Sequence, residues 1–396
     1  MSEWQTFCLK DLGKIVGGAT PSTNNPKNYG NKIAWITPKD LSTLQGRYIK
    51  KGSRSISRLG FKSCSCVLLP KHAILFSSRA PIGYVAIAKK RLCTNQGFKS
   101  IIPNKKIYFE FLYYLLKYHK DSISNIGGGT TFKEVSGATL GLFKVKIPPT
   151  YYEQQKIART LSILDQKIEN NHKINELLHK ILELLYEQYF VRFDFLDENN
   201  KPYQTSGGKM KFSKELNRLI PSGWSVRFLN HKIVSTYQPK TISKTLLNDS
   251  YSYSVYGGGG IIGRFTEYNH EQSEFIISCR GQCGISYLTL PKSWITGNAM
   301  VIRPTKSYTS KTYLYHTIKK YKLTNYITGS VQPQITRQNL STMPILIPKR
   351  KTLNKWNNIS SLLWNLIHNN MQSTQTLTAL RDFLLPLLLK QQVKPK

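Results

Sequence analysis

Two stretches of this chain carry apolar residues at spacings that alternate between four and three. In the first, Ile157, Leu161, Leu164, Ile168, Asn171, Asn175, Leu178, Leu182, Leu185 and Tyr189 keep the alternation. In the second, Ile359, Leu363, Leu366, Asn370, Ser373, Leu377, Leu380, Leu384 and Leu387 repeat it. A stripe of that period is a heptad seam, narrower than the core face of a globular helix. It predicts helices from about Glu153 to Phe190 and from about Leu353 to Leu389. Each is about 57 Å long at 1.5 Å per residue. Asparagine inside a seam weakens it but specifies register and partner. Two such helices in one chain are expected to pair, and to pair antiparallel, because each follows its own module. The alternative is that each packs only on its own module. Pro386 should kink or end the second helix.

Outside the seams the period is shorter and turn residues are frequent. Strand-like runs include Cys66–Leu69, Ala73–Phe76, Tyr84–Ala88, Val145–Pro149 and Glu274–Ser278. Short amphipathic helices are predicted over Tyr108–His119 and Ser310–Tyr321. These elements also come in pairs. Gly129-Thr130, Ser136, Leu140, Val145, Ile147 and Pro148 recur as Gly329-Ser330, Thr336, Leu340, Ile345, Ile347 and Pro348. An offset of about 200 residues is a duplicated domain, not a solenoid repeat. The predicted division is a module over 1–150, a helix over 151–191, a linker over 192–222, a second module over 223–350 and a second helix over 351–391. Two like modules in one chain can read two half-sites on a symmetric partner, and duplex DNA is the obvious one.

Charge supports that partner. The chain has 57 Lys+Arg against 21 Asp+Glu, a net charge of +36 over 396 residues. Its pI near 9.9 is the footprint of a nucleic-acid binder. A Lys-biased source with a basic proteome is the bland alternative. The 23 Tyr and 16 Phe exclude a disordered basic tail. No run of apolar residues is long enough for a membrane span, and the first residues lack a signal peptide's pattern. A cytoplasmic location without membrane contact is expected. Cys64 and Cys66, and Cys279 and Cys283, do not have zinc-site spacing, so no metal is expected.

Three paired loops are candidates for contact with DNA. Ser77–Gly83 and Ser278–Gly284 each place an arginine, Arg79 or Arg280, in a turn after a strand, with Gln282 in the second. Such an arginine can reach a phosphate, fork onto guanine or simply bind local carbonyls. Thr94-Asn95-Gln96-Gly97-Phe98 pairs with Thr296-Gly297-Asn298-Ala299-Met300. Its amides can bond base edges, or the loop can be a turn that seats Phe98 in the core. Gly127–Lys133 pairs with Thr328–Gln334. It offers Gly128, Gly129, Thr130, Thr131, Lys133, Ser330, Gln332 and Gln334 to a DNA backbone, or is a mere connector. No Rossmann, P-loop, HExxH or GxSxG signature is present, and no acidic cluster suits a metal-dependent nuclease.

The motifs Gly17–Ser22, Trp35-Ile36-Thr37-Pro38-Lys39-Asp40-Leu41, Ser77–Gly83, Asn95–Phe98 and Ile147-Pro148 resemble the specificity subunit of Type I restriction–modification enzymes. So do Pro221–Trp224, Tyr256–Gly263 and Leu346–Pro348 in the second module, although Gly297–Met300 departs from the Asn-Gln-Gly signature there. The resemblance implies an α+β fold: two similar mixed α/β target-recognition domains separated by a pair of long antiparallel coiled-coil helices, with pseudo-twofold symmetry. It implies a non-catalytic reader of a bipartite double-stranded DNA target. It adds Thr20, Ser22, Lys39, Lys99, Tyr256, Gly258, Arg264 and Arg337 to the candidate contacts. The helices would set the spacer and dock two methyltransferase subunits, which restriction or translocase subunits then join. S-adenosylmethionine, ATP and Mg2+ would sit on those partners, with no cofactor on this chain. Alternatives are a Type IIG-like recognition subunit, a non-specific basic coiled-coil scaffold and a free-standing enzyme.

Overall fold

The computed structural model describes residues 3–79, 81–128, 133–248, 251–329 and 332–395. Four helices organise it: α1 (Phe109–Tyr118), α2 (Tyr151–Tyr186), α3 (Lys311–Lys320) and α4 (Arg350–Leu389). All four lie where the periodicity predicts them. The chain forms two compact units, Met1–Lys173 with Asn370–Lys396, and Ile174–Asn369. Each unit holds one module and about half of each long helix.

In the first unit a five-stranded sheet runs Gly13–Gly17, Lys99–Pro103, Ile74–Phe76, Val85–Ala88, Tyr48–Ile49. A three-stranded sheet has Tyr29–Ile36 between Arg54–Ile56 and Cys93–Thr94. A third pair joins Gln5–Cys8 to Lys144–Ile147, with Gln5 opposite Ile147. The expected strand over Cys66–Leu69 is reduced to one bridge, Leu69 to Leu92. One core holds Phe76, Ile101, Phe111 and Leu115 of the module together with Ile157 and Leu161 of α2 and Leu385 and Leu388 of α4.

The two helices in this unit run in opposite directions. Asp165 accepts from Arg381 at 2.8 Å, and Asn171 donates its amide to the Asn370 carbonyl at 3.4 Å and to Thr374 Oγ1 at 3.2 Å. The rising number on one helix meets the falling number on the other. Asp165 also accepts from the Tyr114 hydroxyl at 2.6 Å. Arg47 reaches Glu169 at 3.2 Å and Glu110 at 3.1 Å. Buried charges need such partners, since burial without them costs several kcal/mol. This network bolts the first module to the helix pair.

The second unit repeats the plan with one strand fewer in its main sheet. Val234–Tyr237, Ala299–Pro304, Phe275–Ser278 and Ser286–Leu288 form that sheet. Tyr253–Gly257 lies between Gly260–Phe265 and Trp294–Ile295. Ser225 sits opposite Ile347, as Gln5 does opposite Ile147. Here Asn175 donates to the Ile367 carbonyl at 3.3 Å. His179 meets Trp364 edge-on with ring centroids 5.1 Å apart, and Tyr186 meets Trp356 at 5.8 Å. The helices are antiparallel in this unit too.

Three readings need correction. The inward stripe of α4 is displaced by one residue from the expected seam. Trp356, Ser360, Trp364, Ile367, Leu385 and Leu388 are buried, while Ile359, Leu366 and Leu380 are exposed. Ser360 keeps the period because its hydroxyl bonds Thr312 at 2.9 Å. The segment over 192–222 is not a bare linker. Met210–Ser213 and Arg218–Pro221 pair as a hairpin, and Phe195 stacks on Trp224 at 5.1 Å. Pro386 does not break α4 where it stands; the helix runs through it and ends three residues later. It lies in the last turn, so the bond that its missing N–H removes falls where the helix is about to end.

Histidine makes the second unit sensitive to acid. His316 stacks on Tyr186 at 5.5 Å and His368 lies against Trp364 at 5.9 Å. Burial, then Lys319, His179 and Lys320, push His316 down to about 3. Burial, then Lys311 and His179, push His368 down to about 4. Each is depressed below 6.5, so on acidification the unfolded chain takes up protons that the folded one refuses. Stability is full above about pH 6.5 and falls below it. Urea unfolding followed by tryptophan fluorescence should show a loss of about 2 kcal/mol per histidine between pH 7.5 and 5. His316→Leu with His368→Leu should remove their share of the loss and leave that of His179 and His270, which burial also depresses. The same loss in the double variant would place the acid sensitivity elsewhere.

Candidate nucleic-acid interface

Each module gathers three loops at one end of its main sheet, and a serine holds the first. The Ser77 hydroxyl donates to the Pro81 carbonyl at 2.8 Å and accepts from the Tyr84 N–H at 2.8 Å. Gly83 N–H bonds the Ser77 carbonyl at 3.0 Å. Gly83 has φ +100°, a conformation costly for any side chain. The second module repeats each contact: Ser278 to the Gln282 carbonyl, Ile285 N–H to the Ser278 hydroxyl, and Gly284 N–H to the Ser278 carbonyl. Gly284 has φ +88°. Arg79 and Arg280 therefore leave the same turn at the same place.

The next residue ties the other two loops together. Ser78 N–H bonds the Gly97 carbonyl at 2.8 Å, and its carbonyl accepts from Val135 at 3.0 Å. Cys279 N–H bonds the Asn298 carbonyl at 3.0 Å, and its carbonyl accepts from Ile335 at 3.0 Å. These bonds make Gly97 the counterpart of Asn298. Likewise Asn95 N–H bonds the Ile36 carbonyl and Thr296 N–H the Tyr256 carbonyl, both at 2.9 Å. The expected pairing of Thr94 with Thr296 is thus off by one position.

The side chains divide into turn-makers and surface groups. Asn95 Oδ1 accepts from Gly97 N–H at 3.1 Å and so shapes the turn that buries Phe98. Tyr256 is buried and its hydroxyl accepts from Leu290 N–H at 3.0 Å. Burial removes it from direct contact with DNA. Arg264 is half-buried and donates to the Tyr251 carbonyl at 3.0 Å. The candidates Thr20, Ser22, Lys39, Gln96, Gly128, Lys133, Arg280, Gln282, Asn298, Gln332, Gln334 and Arg337 are exposed. Gly258 lies beside Arg280, whose carbonyl a Cβ there would meet at 3.0 Å. Gly129, Thr130, Thr131 and Ser330 lie outside the described residues.

In the first module the surface groups connect to one another. The Thr20 hydroxyl donates to the Gln96 side chain. Arg79 and Lys99 both face Glu134, at 3.6 Å and 3.4 Å. Glu134 is fixed by backbone bonds with Gly128 in both directions, at 2.9 Å and 3.1 Å. In the second module Arg280 forms a backbone bridge with Gln334, the counterpart of Glu134. Among the described residues no cluster of His, Cys, Asp or Glu suits a metal ion, and all six cysteines are free thiols.

The duplication, the matched turns and the helix pair have a counterpart among known proteins. The family model for the Type I restriction modification DNA specificity domain matches residues 1–180 and 221–380. The chain belongs to the specificity-subunit family of Type I restriction–modification enzymes. It is 33% identical to the MjaIX specificity subunit of Methanocaldococcus jannaschii, over 98% of this chain and 92% of that one. The HindI specificity subunit of Haemophilus influenzae is 31% identical over 46% of this chain and 40% of its own. The crystal structure of a Type I S subunit from M. genitalium has the same fold, with a TM-score of 0.61, 17% identity and coverage of 98% of this chain and 96% of that one. This specificity subunit is a non-catalytic DNA-recognition chain of two repeated domains and long helices.

Sequence reasoning passed over Glu134, an acid among cationic candidates. Aligning Lys133-Glu134-Val135 with Pro333-Gln334-Ile335 reveals the exchange of acid for amide. The turn serines should be the structural keystone of the loop cluster. Ser77→Ala leaves the Pro81 carbonyl and Tyr84 N–H without their partner, and should cost about 1–3 kcal/mol. Ser278→Ala should cost the subunit a similar amount. Denaturant titration checks both, and a neutral pair would show that the hydroxyls do not hold the turns.

Proposed function

We propose that this specificity subunit reads an asymmetric, bipartite DNA target, one half-site per module, and carries methyltransferase subunits on its helices. The observation that supports half-site reading is the conserved turn with unlike surroundings. Arg79 and Arg280 leave equivalent positions, but Gln96, Lys99 and Glu134 surround the first where Gly297, Met300 and Gln334 occupy the counterpart positions. A common scaffold gives common phosphate anchoring, and unlike side chains give unlike base readout. The net charge of +36 supplies the sequence-independent attraction.

Docking is supported by the outer faces of the helices. In the second unit Ile174, Leu177, Ile181 and Leu184 are exposed on α2, and Ile359, Leu362 and Leu366 on α4. A row of exposed apolar residues at heptad spacing is a surface that a partner covers. Two methyltransferase subunits fit this role, with restriction or translocase subunits joining that core. S-adenosylmethionine, ATP and Mg2+ belong to those partners. Among the described residues no helix is long and apolar enough to cross a membrane, and a cytoplasmic complex is the setting proposed.

Exchange of residues 223–350 for the matching module of another specificity subunit tests half-site reading. Methylome sequencing of the host should show one half of the modified motif replaced and the other kept. A change in both halves would end the idea of independent reading.

The helices are further proposed to set the spacer. Removing Leu164–Asn170 would delete Asp165 and Glu169 and so break the network around Arg47. Deleting Asn171–Leu177 together with Ile367–Ser373 removes the Asn171 and Asn175 contacts but spares that network, whose Asp165–Arg381 pair still marks the register, and keeps the heptad phase. Each helix loses about 10 Å, or roughly three base pairs at 3.4 Å per pair. The methylome should then show both half-sites intact and a shorter spacer. An unchanged spacer in an active complex would free the helices of that role.

A further inference from the structure

Among the described residues, Glu134 is the one acidic side chain at ion-pair distance from two of the first module's candidate DNA contacts. Arg79 Nη1 lies 3.6 Å from one carboxylate oxygen and Lys99 Nζ 3.4 Å from the other. All three side chains are part exposed, at 38%, 22% and 35% for Arg79, Lys99 and Glu134. Ion pairs this open to water are weak and exchangeable. A carboxylate that sits on two cations occupies the place of a phosphate. It satisfies the same charge, but as one end of a folded loop rather than of a ligand.

The position of Glu134 is built in. Its N–H and carbonyl are both bonded to Gly128, and the adjacent Val135 is bonded to Ser78, the neighbour of Arg79. The acid therefore stays close to Arg79 whether or not the two are paired. The second module has the same scaffold, with Ile335 bonded to Cys279 and Gln334 bridged to Arg280. There the acid is replaced by an amide of the same shape and no charge, and the Lys99 counterpart is Met300. The two modules therefore differ here in the charge of the loop acid and in the presence of a second cation. Two equivalent arginines leave equivalent turns, one beside a fixed negative charge and one beside a neutral group.

We infer that Glu134 is a specificity-determining residue that withholds Arg79 and Lys99 from non-target DNA. This inference rests on the reading of the loop cluster as a DNA interface. On a non-target duplex a phosphate must compete with the carboxylate, and the carboxylate repels it. On the target, base contacts made by the rest of the module hold the backbone in register long enough for the exchange to occur. The acid thus lowers sequence-independent affinity in the first module more than it lowers target affinity. Gln334 does not act in this way, so the second module binds duplex less selectively at the matching place.

The test uses the specificity subunit assembled with its modification subunits. Binding to a duplex carrying the methylated motif and to a scrambled duplex is measured across salt concentrations for the wild type, Glu134→Gln and Gln334→Glu. Glu134→Gln should bind the scrambled duplex roughly three- to tenfold tighter near 0.1 M salt. The slope of log K against log salt should steepen by about one unit. Target affinity should rise less, so the ratio between the two duplexes should fall. Gln334→Glu should move the scrambled-duplex affinity and slope in the opposite direction. Arg79→Ala in the Glu134→Gln background should cancel most of the gain, which ties the effect to the paired cation. If Glu134→Gln leaves scrambled-duplex affinity and slope unchanged, the inference is overturned. Loss of target binding alone would also overturn it, because Glu134 would then be reading a base. If the wild type does not distinguish the two duplexes, the failure belongs to the DNA-interface reading itself.

Discussion

The structure depends on a few polar contacts that pin an otherwise degenerate helix seam. A heptad stripe of leucines can slide by a heptad at little cost, because each register buries similar area. The amide of Asn171 bonds a backbone carbonyl and a hydroxyl on the facing helix in the first unit. That of Asn175 bonds a backbone carbonyl in the second. A slipped register would take these half-buried amides away from the facing helix groups that they now bond. Asp165 adds a charged pin by joining Arg381 and Tyr114. Such ionic groups are poor sources of net stability, since apolar residues of equal volume often do as well. Their value here is positional. Arg47, on a loop of the recognition module, reaches Glu110 of α1 and Glu169 of α2. Arg47 is buried between these acids, so the module, α1 and the first-unit part of α2 are held together.

The two modules share their scaffolds far more closely than their surfaces. The Ser77 and Ser278 turns match bond for bond, and the loops they organise match through Gly97 with Asn298 and Val135 with Ile335. Backbone bonds carry this likeness, so side chains at the rim are free to differ. An exposed side chain on such a base can change without unfolding the turn that presents it.

Much of this was legible in the chain, and the failures have physical causes. The long helices were visible because period 3.5 over several heptads has no other structural meaning. The α4 stripe was read one residue off because leucines were weighted over Trp356, Ser360 and Trp364. Trp364 packs on His179 and Trp356 on Tyr186 and His316, and the buried Ser360 hydroxyl is satisfied by Thr312 and the Asn357 carbonyl. The segment over 192–222 has Gly and Pro at linker frequency, yet Phe193, Phe195 and Tyr203 gather on or near Trp224. Aromatic stacking across such separations leaves no periodic trace. Tyr256 enters the candidate contacts through the family resemblance, and the glycines after it give no sign of its burial. Its hydroxyl finds a backbone partner inside, which is how a buried tyrosine is tolerated. Glu134 escaped notice because an acid is not sought in a cationic interface.

A protein with so large a positive charge has to separate attraction from recognition. Sequence-independent affinity grows with every phosphate neutralised, and genomic DNA offers an enormous excess of wrong sites. Adding cations therefore speeds encounter while eroding the ratio that matters. Several of the acids of this chain lie where they limit that effect from within. Glu110, Asp165 and Glu169 hold Arg47 and Arg381 inside the fold, so these cations are withdrawn from any outward field. Glu274 accepts from Arg303, and Glu183 and Glu187 accept from Lys319 and Lys320. The remaining lysines and arginines, unmatched in number, make the attractive surface. Selectivity then depends less on how many cations a loop presents than on which of them are already engaged before DNA arrives.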